Sequence, residues 1–155
     1  MSKNILVIGT GTIGEPLIGL LADFKKTLDI DNIFFHKRTP LIDEIAKVNS
    51  LINRGAKLVV DPEKVEAFQE LGHEPVLEYE AALRLSDVIV DCTPAGNAAK
   101  ESHYLPLLKK NKKKTFIAQG SEKGFGIPYA YGINDKALLE SDSQFIQVVS
   151  CNTHN

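Results

Sequence analysis

Short apolar runs along this chain alternate with stretches in which apolar residues return every three or four positions. Asn4–Ile8 (NILVI) has the pattern of a buried strand. The glycine-rich turn Gly9-Thr10-Gly11-Thr12-Ile13-Gly14 follows. Leu17, Ile18, Leu20, Leu21 and Phe24 then recur at helical spacing. Pro16 fits the first helical turn, where its missing N–H costs nothing. Asn32–His36 (NIFFH) predicts a second strand. Pro40 opens a second helix, with Leu41, Ile42, Ile45, Val48 and Ile52 on one face and Gly55 at its C-cap. Lys57–Val60 is a third strand, and a short helix runs from Asp61-Pro62 to about Glu70. Glu78–Leu85 is helical, and Asp87–Cys92 (DVIVDC) is another buried strand ending in the loop Thr93–Gly96. A helix from about Asn97 to Lys110 precedes the strand Thr115–Ala118. Gln119–Gly126 is a glycine-rich loop. Ile127–Ile133 predicts a strand, Asp135–Glu140 a helical turn and Phe145–Cys151 a last strand.

Strands alternating with helices call for parallel pairing, because the helices supply the crossovers that parallel strands need. The expected fold class is therefore α/β, a doubly wound and mostly parallel sheet of the Rossmann type. With 155 residues, residues 1–155 are expected to form one domain. Hydrophobic residues make up 43% and charged residues 25%, which excludes a disordered or collagen-like chain. The net charge of −2 sets up no field that would call for nucleic acid or a membrane surface. The one biased stretch, Lys109–Lys114 (KKNKKK), fits a solvated helix C-terminus; a phosphate or nucleic-acid contact is the other reading, and no aromatic residues interleave the lysines. Two cysteines, Cys92 and Cys151, are too few for a disulfide framework, and their use points to a reducing compartment, the cytoplasm.

The G-x-G-x-x-G turn lies between a strand and a helix, the context that dinucleotide binding requires. Gly9 permits the tight turn, Gly11 lets backbone approach a pyrophosphate, and Gly14 lets helix and strand pack closely. The N–H groups of Thr12 and Ile13 point at the phosphates from the positive end of the helix. An NAD-preferring site places a carboxylate at the end of the second strand, for the ribose 2′-OH. Here Lys37, Arg38 and Thr39 stand there, and Asp29 and Asp31 lie at the opposite end. Two cations and a hydroxyl suit a 2′-phosphate, so NADP is the preferred cofactor, with NAD tolerated; an exposed basic loop is the bland alternative. Thr93 and Gly96, with Pro94 between them, would line the cofactor's ribose side, and the Gln119-Gly120 loop its nicotinamide half, where plain turn chemistry explains the glycines almost as well. Cys92 is read as a small core residue. In Val148-Val149-Ser150-Cys151-Asn152-Thr153, Ser150 is a good N-cap, and a thiol at a helix N-terminus has its pKa lowered. From spacing alone Cys151 is either a nucleophile or a buried structural thiol. His36, His73 and His103 show no ligand spacing, so no metal site is expected.

These motifs together resemble the archaeal-type phosphorylating glyceraldehyde-3-phosphate dehydrogenases. The resemblance runs from Asn4 to Asn155. It is carried by the Gly9–Gly14 turn, Lys37-Arg38-Thr39-Pro40, Val90-Asp91-Cys92-Thr93-Pro94, Gln119-Gly120-Ser121-Glu122-Lys123 and, most specifically, Val148–Thr153. It implies that Cys151 is the nucleophile, that Ser150 and Asn152 touch substrate with it, and that Thr12-Ile13 and Gln119-Gly120 touch cofactor. It also implies glyceraldehyde 3-phosphate and phosphate as the small molecules handled, and a homo-oligomer for the full-length enzyme. Three positions depart from the pattern: Arg38 where threonine is common, Ser121 where glycine is common, and His154 where threonine is common.

The family's chain continues well past the position matching Asn155. The catalytic domain with its histidine base is therefore expected to lie outside residues 1–155, and these residues alone to be inactive. Nothing fixes the geometry of His154, three residues from Cys151, as a substitute base. Two other classes fit the same layout: a non-catalytic dinucleotide-binding module, and the N-terminal half of another cysteine-dependent aldehyde dehydrogenase such as the aspartate-semialdehyde type. If a helix from the absent part packs back, an apolar strip is exposed on one sheet face or along the first helix, at Leu17, Leu21 and Phe24.

Overall fold

The computed structural model describes residues 3–119 and 123–149. Its strands are β1 (Asn4–Ile8), β2 (Asn32–His36), β3 (Lys57–Val60), β4 (Leu77–Glu78), β5 (Val88–Asp91), β6 (Thr115–Gln119), β7 (Ile127–Tyr129) and β8 (Phe145–Val148). They form one sheet in the order β4-β3-β2-β1-β5-β6-β8-β7, and every pairing is parallel. The chain winds outward from β1 to β4 in one direction and from β5 to β6 in the other, then passes to the edge at β7 and returns to β8 between β6 and β7. The crevice between the C-terminal ends of β1 and β5 is thus a topological switch point, where open α/β sheets bind their ligands.

Alternation along the strands builds two cores. Ile5, Val7, Ile33, Phe35, Leu58 and Val60 face one side. There they meet Ile18 of α1 (Gly14–Asp23), Val48 and Leu51 of α2 (Ile45–Asn53), and Phe68 of α3 (Val65–Glu70). Leu6, Ile8, Phe34, Val59 and Ile89 face the other side, against Ala82 and Leu83 of α4 (Tyr79–Leu85). That second core ends in an aromatic stack: Tyr104 on Phe116 and Phe116 on Phe145, each with ring centroids 4.9 Å apart.

Several elements depart from the sequence expectation. The second helix does not open at Pro40: Leu41 is extended, and a 3₁₀ turn Ile42–Glu44 leads into α2. The two-residue β4 had no periodic signal, and α4 starts one residue later than expected. The helix expected over Asn97–Lys110 starts at Gly96 and is divided. Its first part, α5 (Gly96–Ala99), widens into a π-helical segment (Lys100–Tyr104) before α6 (Leu105–Lys110). Pro106 explains the widening, since it has no N–H to give and its ring would clash with the carbonyl four residues back. The strand expected over Ile127–Ile133 stops at Tyr129, because the chain turns through Gly132 at φ 76°. A short helix, α7 (Lys136–Leu139), then leads back to β8. On α1, Leu17 and Leu21 pack partly against the core, whereas Leu20 and Phe24 are exposed. Of the three residues expected in an exposed strip, Phe24 is exposed, with Leu20 beside it, while Leu17 and Leu21 are half-covered. No described helix is long and apolar enough to cross a membrane.

Candidate functional site

The turn after β1 is built from three glycines with three different reasons. Gly9 has φ 101°, a left-handed conformation that strains any other residue, and its N–H donates to the carbonyl of His36 at the end of β2 (3.2 Å). A Cβ on Gly14 would lie 2.0 Å from the carbonyl oxygen of Gly9, so the helix can start against the turn only without a side chain there. Gly11 is the opposite case. A Cβ there would meet no atom within 4 Å, and the residue is exposed. The chain's own packing does not require glycine at Gly11; a group approaching from outside would. Beside it, the N–H groups of Thr12 and Ile13 have no backbone acceptor among the described residues. Free donors at the start of a ten-residue helix form an anion site.

The end of β2 differs from its expectation in detail. Lys37 is buried, and its ammonium pairs with Glu44 and reaches Thr10 Oγ1 at 3.4 Å. Lys47 joins the same cluster, donating to Glu44 Oε1 at 2.9 Å and to the Thr10 carbonyl at 3.3 Å, with Glu15 at 3.8 Å. Hydrogen bonds from Lys37 and then Lys47 hold the Glu44 carboxyl below its usual range. Arg38 and Thr39 are exposed, and Arg38 stands at a cavity of about 300 Å³.

That cavity lies over the C-terminal ends of β1, β2 and β5, between α4 and α5. Ile8, His36, Tyr79, Thr93 and Ala99 line it. Asp91 forms its floor and is almost fully buried. The hydroxyl of Tyr104 donates to Asp91 Oδ2 (2.6 Å), while the Thr93 hydroxyl (2.6 Å) and N–H (2.8 Å) donate to Oδ1. These bonds seat Thr93 against the Gly9 turn, where its methyl would be 3.4 Å from a Cβ on Gly9. His36 lies 3.1 Å from Asp61 and packs on the Tyr79 ring at 4.3 Å. Burial pulls the His36 pKa down despite Asp61, so the ring is neutral at pH 7. Burial, aided by Asp91, raises Tyr79 to about 12.

Pro94 is exposed beside Thr93, and Gln119 ends β6 on the same edge of the sheet. Cys92 is half-buried against Gly14, and burial raises its thiol to about 11, which suits a packing role. The fold brings the Gly9–Gly14 turn, Lys37, Arg38 and Thr93 around one crevice. Gly120, Ser150, Cys151 and Asn152 lie outside the described residues. Among the described residues no group of three or more His, Cys, Asp or Glu is arranged to hold a metal ion. Sequence reading assigned no role to Asp91, Tyr104 or Glu44. A carboxylate closing the otherwise apolar run VIVD was the available signal, since a buried charge demands partners.

No family model matches the chain. The glyceraldehyde-3-phosphate dehydrogenase of Hyperthermus butylicus is 38% identical over 149 residues, which span 95% of this chain and 40% of that protein. Those named glyceraldehyde-3-phosphate dehydrogenase in Methanothermus fervidus and glyceraldehyde-3-phosphate dehydrogenase 1 in Methanosarcina acetivorans are 29% and 32% identical, each over 97% of this chain and 42% of the relative. The chain thus spans about two-fifths of the length of the curated relatives it matches. Along nearly its whole length it is similar to the N-terminal half of the archaeal-type glyceraldehyde-3-phosphate dehydrogenases.

Proposed function

We propose that this chain is the cofactor-binding portion of an NAD(P)-dependent phosphorylating glyceraldehyde-3-phosphate dehydrogenase. One observation carries the reading: at the switch point of the sheet, Gly11 leaves open space beside the N–H groups of Thr12 and Ile13, which have no backbone acceptor among the described residues. A pyrophosphate fits there. The cavity floored by Asp91 takes the adenosine end, with Thr93 and Pro94 along the ribose. Arg38 at its mouth receives a 2′-phosphate, with Lys37 and Thr39 at the same strand end. Gln119 and Gly120 flank the nicotinamide. Bound there, the cofactor would supply the acceptor for the hydride that leaves the aldehyde carbon.

The protein's part in the chemistry falls to Cys151. Its thiolate adds to the aldehyde carbon, with Ser150 and Asn152 beside the substrate. Loss of hydride leaves a thioester, and inorganic phosphate displaces the thiolate to give the acyl phosphate. The full-length cytoplasmic protein, a homo-oligomer, carries this activity; residues 1–155 bind cofactor without turnover.

Calorimetric titration with NADPH and NADH tests the reading. NADPH is expected to bind more tightly by about 1–3 kcal/mol, the worth of a charge-assisted bond, and Arg38→Ala to erase the difference. Absence of binding to either nucleotide overturns the site. Tighter NADH binding that survives Arg38→Ala overturns the cofactor preference.

A further inference from the structure

We propose that Glu44 sets how strongly this chain discriminates between 2′-phosphorylated and plain dinucleotides, by holding the Lys37 charge in reserve. The proposal rests on the reading of the Gly9–Gly14 turn as the dinucleotide site. Two cations stand at the end of β2, but they are not equally available. Arg38 is exposed at the cavity mouth, whereas Lys37 is buried and its ammonium is committed to Glu44. Glu44 also takes a hydrogen bond from Lys47, which in turn reaches the Thr10 carbonyl. Glu44 is therefore the carboxylate between the two lysines that border the glycine turn.

Two lysines and two carboxylates, Glu44 and Glu15, make this cluster neutral. A phosphate arriving at the strand end meets Lys37 only by competing with Glu44. A ribose hydroxyl is uncharged and does not enter that competition. The charge on Glu44 thus acts against one cofactor and is indifferent to the other. Sequence position hides this. The carboxylate that disfavours a 2′-phosphate ordinarily ends the second strand itself. Here it comes from the 3₁₀ turn, seven residues beyond Lys37.

Glu44→Gln keeps the side chain's size and removes its charge. The affinities of NADPH and NADH are measured by calorimetry on the whole chain, with the variant and with Lys37→Met added to it. Glu44→Gln is expected to tighten NADPH about tenfold or more, as for one new charge-assisted bond, and to leave NADH within about twofold. Adding Lys37→Met is expected to cancel the gain, which identifies Lys37 as the group released. A purely structural role for Glu44 would weaken both nucleotides alike, and that result overturns the proposal. An unchanged ratio with both nucleotides still bound overturns it too and leaves the site reading standing. If neither nucleotide binds the unaltered chain, the site reading falls and the proposal with it.

Discussion

The two wings of the sheet are covered differently. In β1 all five residues are buried, because α1 and α2 pack on one face and α4 on the other. In β6 buried residues alternate with half-exposed ones, and β8 follows the same pattern. Phe116, Ala118 and Phe145 enter the aromatic core, while Ile117 and Ile146, paired across the two strands, are half-covered, Ile117 at the margin of the first core. Phe125, just before β7, packs on the aromatic face against Phe145, not on the face of Ile117 and Ile146. A parallel sheet is expected to be covered on both faces. The wing that carries the glycine turn meets this condition, and among the described residues the wing around β6 and β8 meets it fully on one face only.

The largest test of this difference is a pair of truncations. Phe35→Ala in the doubly covered wing should cost about 3–5 kcal/mol, and Ile146→Ala in the other wing about 1–2 kcal/mol. Denaturant titration measures both, and equal costs would erase the distinction.

Within the better-covered wing, two glycines sharpen it further. Gly14→Ala should destabilise by about 1–3 kcal/mol, since its new methyl group meets the Gly9 carbonyl and backbone cannot step aside. Gly11→Ala should leave stability within about 0.5 kcal/mol, as is usual for open surface sites, while weakening nucleotide binding. A stability loss at Gly11 as large as that at Gly14 would remove the reason for reading Gly11 as a ligand contact.

The smallest effect is a pH dependence. His36 is neutral when folded because burial lowers its pKa below the ordinary 6.5. An unfolded chain therefore binds the proton more readily. The contribution of His36 is complete above about pH 6.5 and fades as pH falls toward the folded value. Melting temperature should drop between pH 7.5 and 5.5, and His36→Gln should flatten that slope. A slope unchanged by the substitution would place its origin in other groups.

The strands of the central sheet were legible because their residues are uniformly apolar and bounded by glycine, proline or charge. NILVI, NIFFH and KLVV carry that signal without help from tertiary context. The π-helical widening was not legible, although Pro106 marked where regular hydrogen bonding would fail: proline tells that a helix must adjust, not how. β4 is two residues held by pairing to β3, and pairing leaves no periodicity in so short a segment. At the site, the glycine turn was readable from spacing, whereas the commitment of Lys37 to Glu44 was not. Sequence gives the charge of a lysine, but which neighbour claims it depends on where a 3₁₀ turn brings a carboxylate. Asp91 was visible as an anomaly in an apolar strand, yet Tyr104, which completes it, lies 13 residues away across the widened helix.

The strand ladder does not stop where the strands do. The N–H of Gly9 donates to His36, that of Cys92 to Ile8, and that of Lys37 to Val59, each one step past the last strand residue. Three loops at the crevice thus begin as continuations of the same hydrogen-bonded fabric. In exchange with deuterated solvent these three amides are expected to share the slow clock of the sheet, and those of Thr12 and Ile13, which have no backbone acceptor among the described residues, to trade protons faster. The crevice is then a fast, solvent-facing strip of donors mounted on a frame that moves orders of magnitude more slowly. A ligand arriving there finds its acceptors' partners already in register, and little ordering is left to be done on binding.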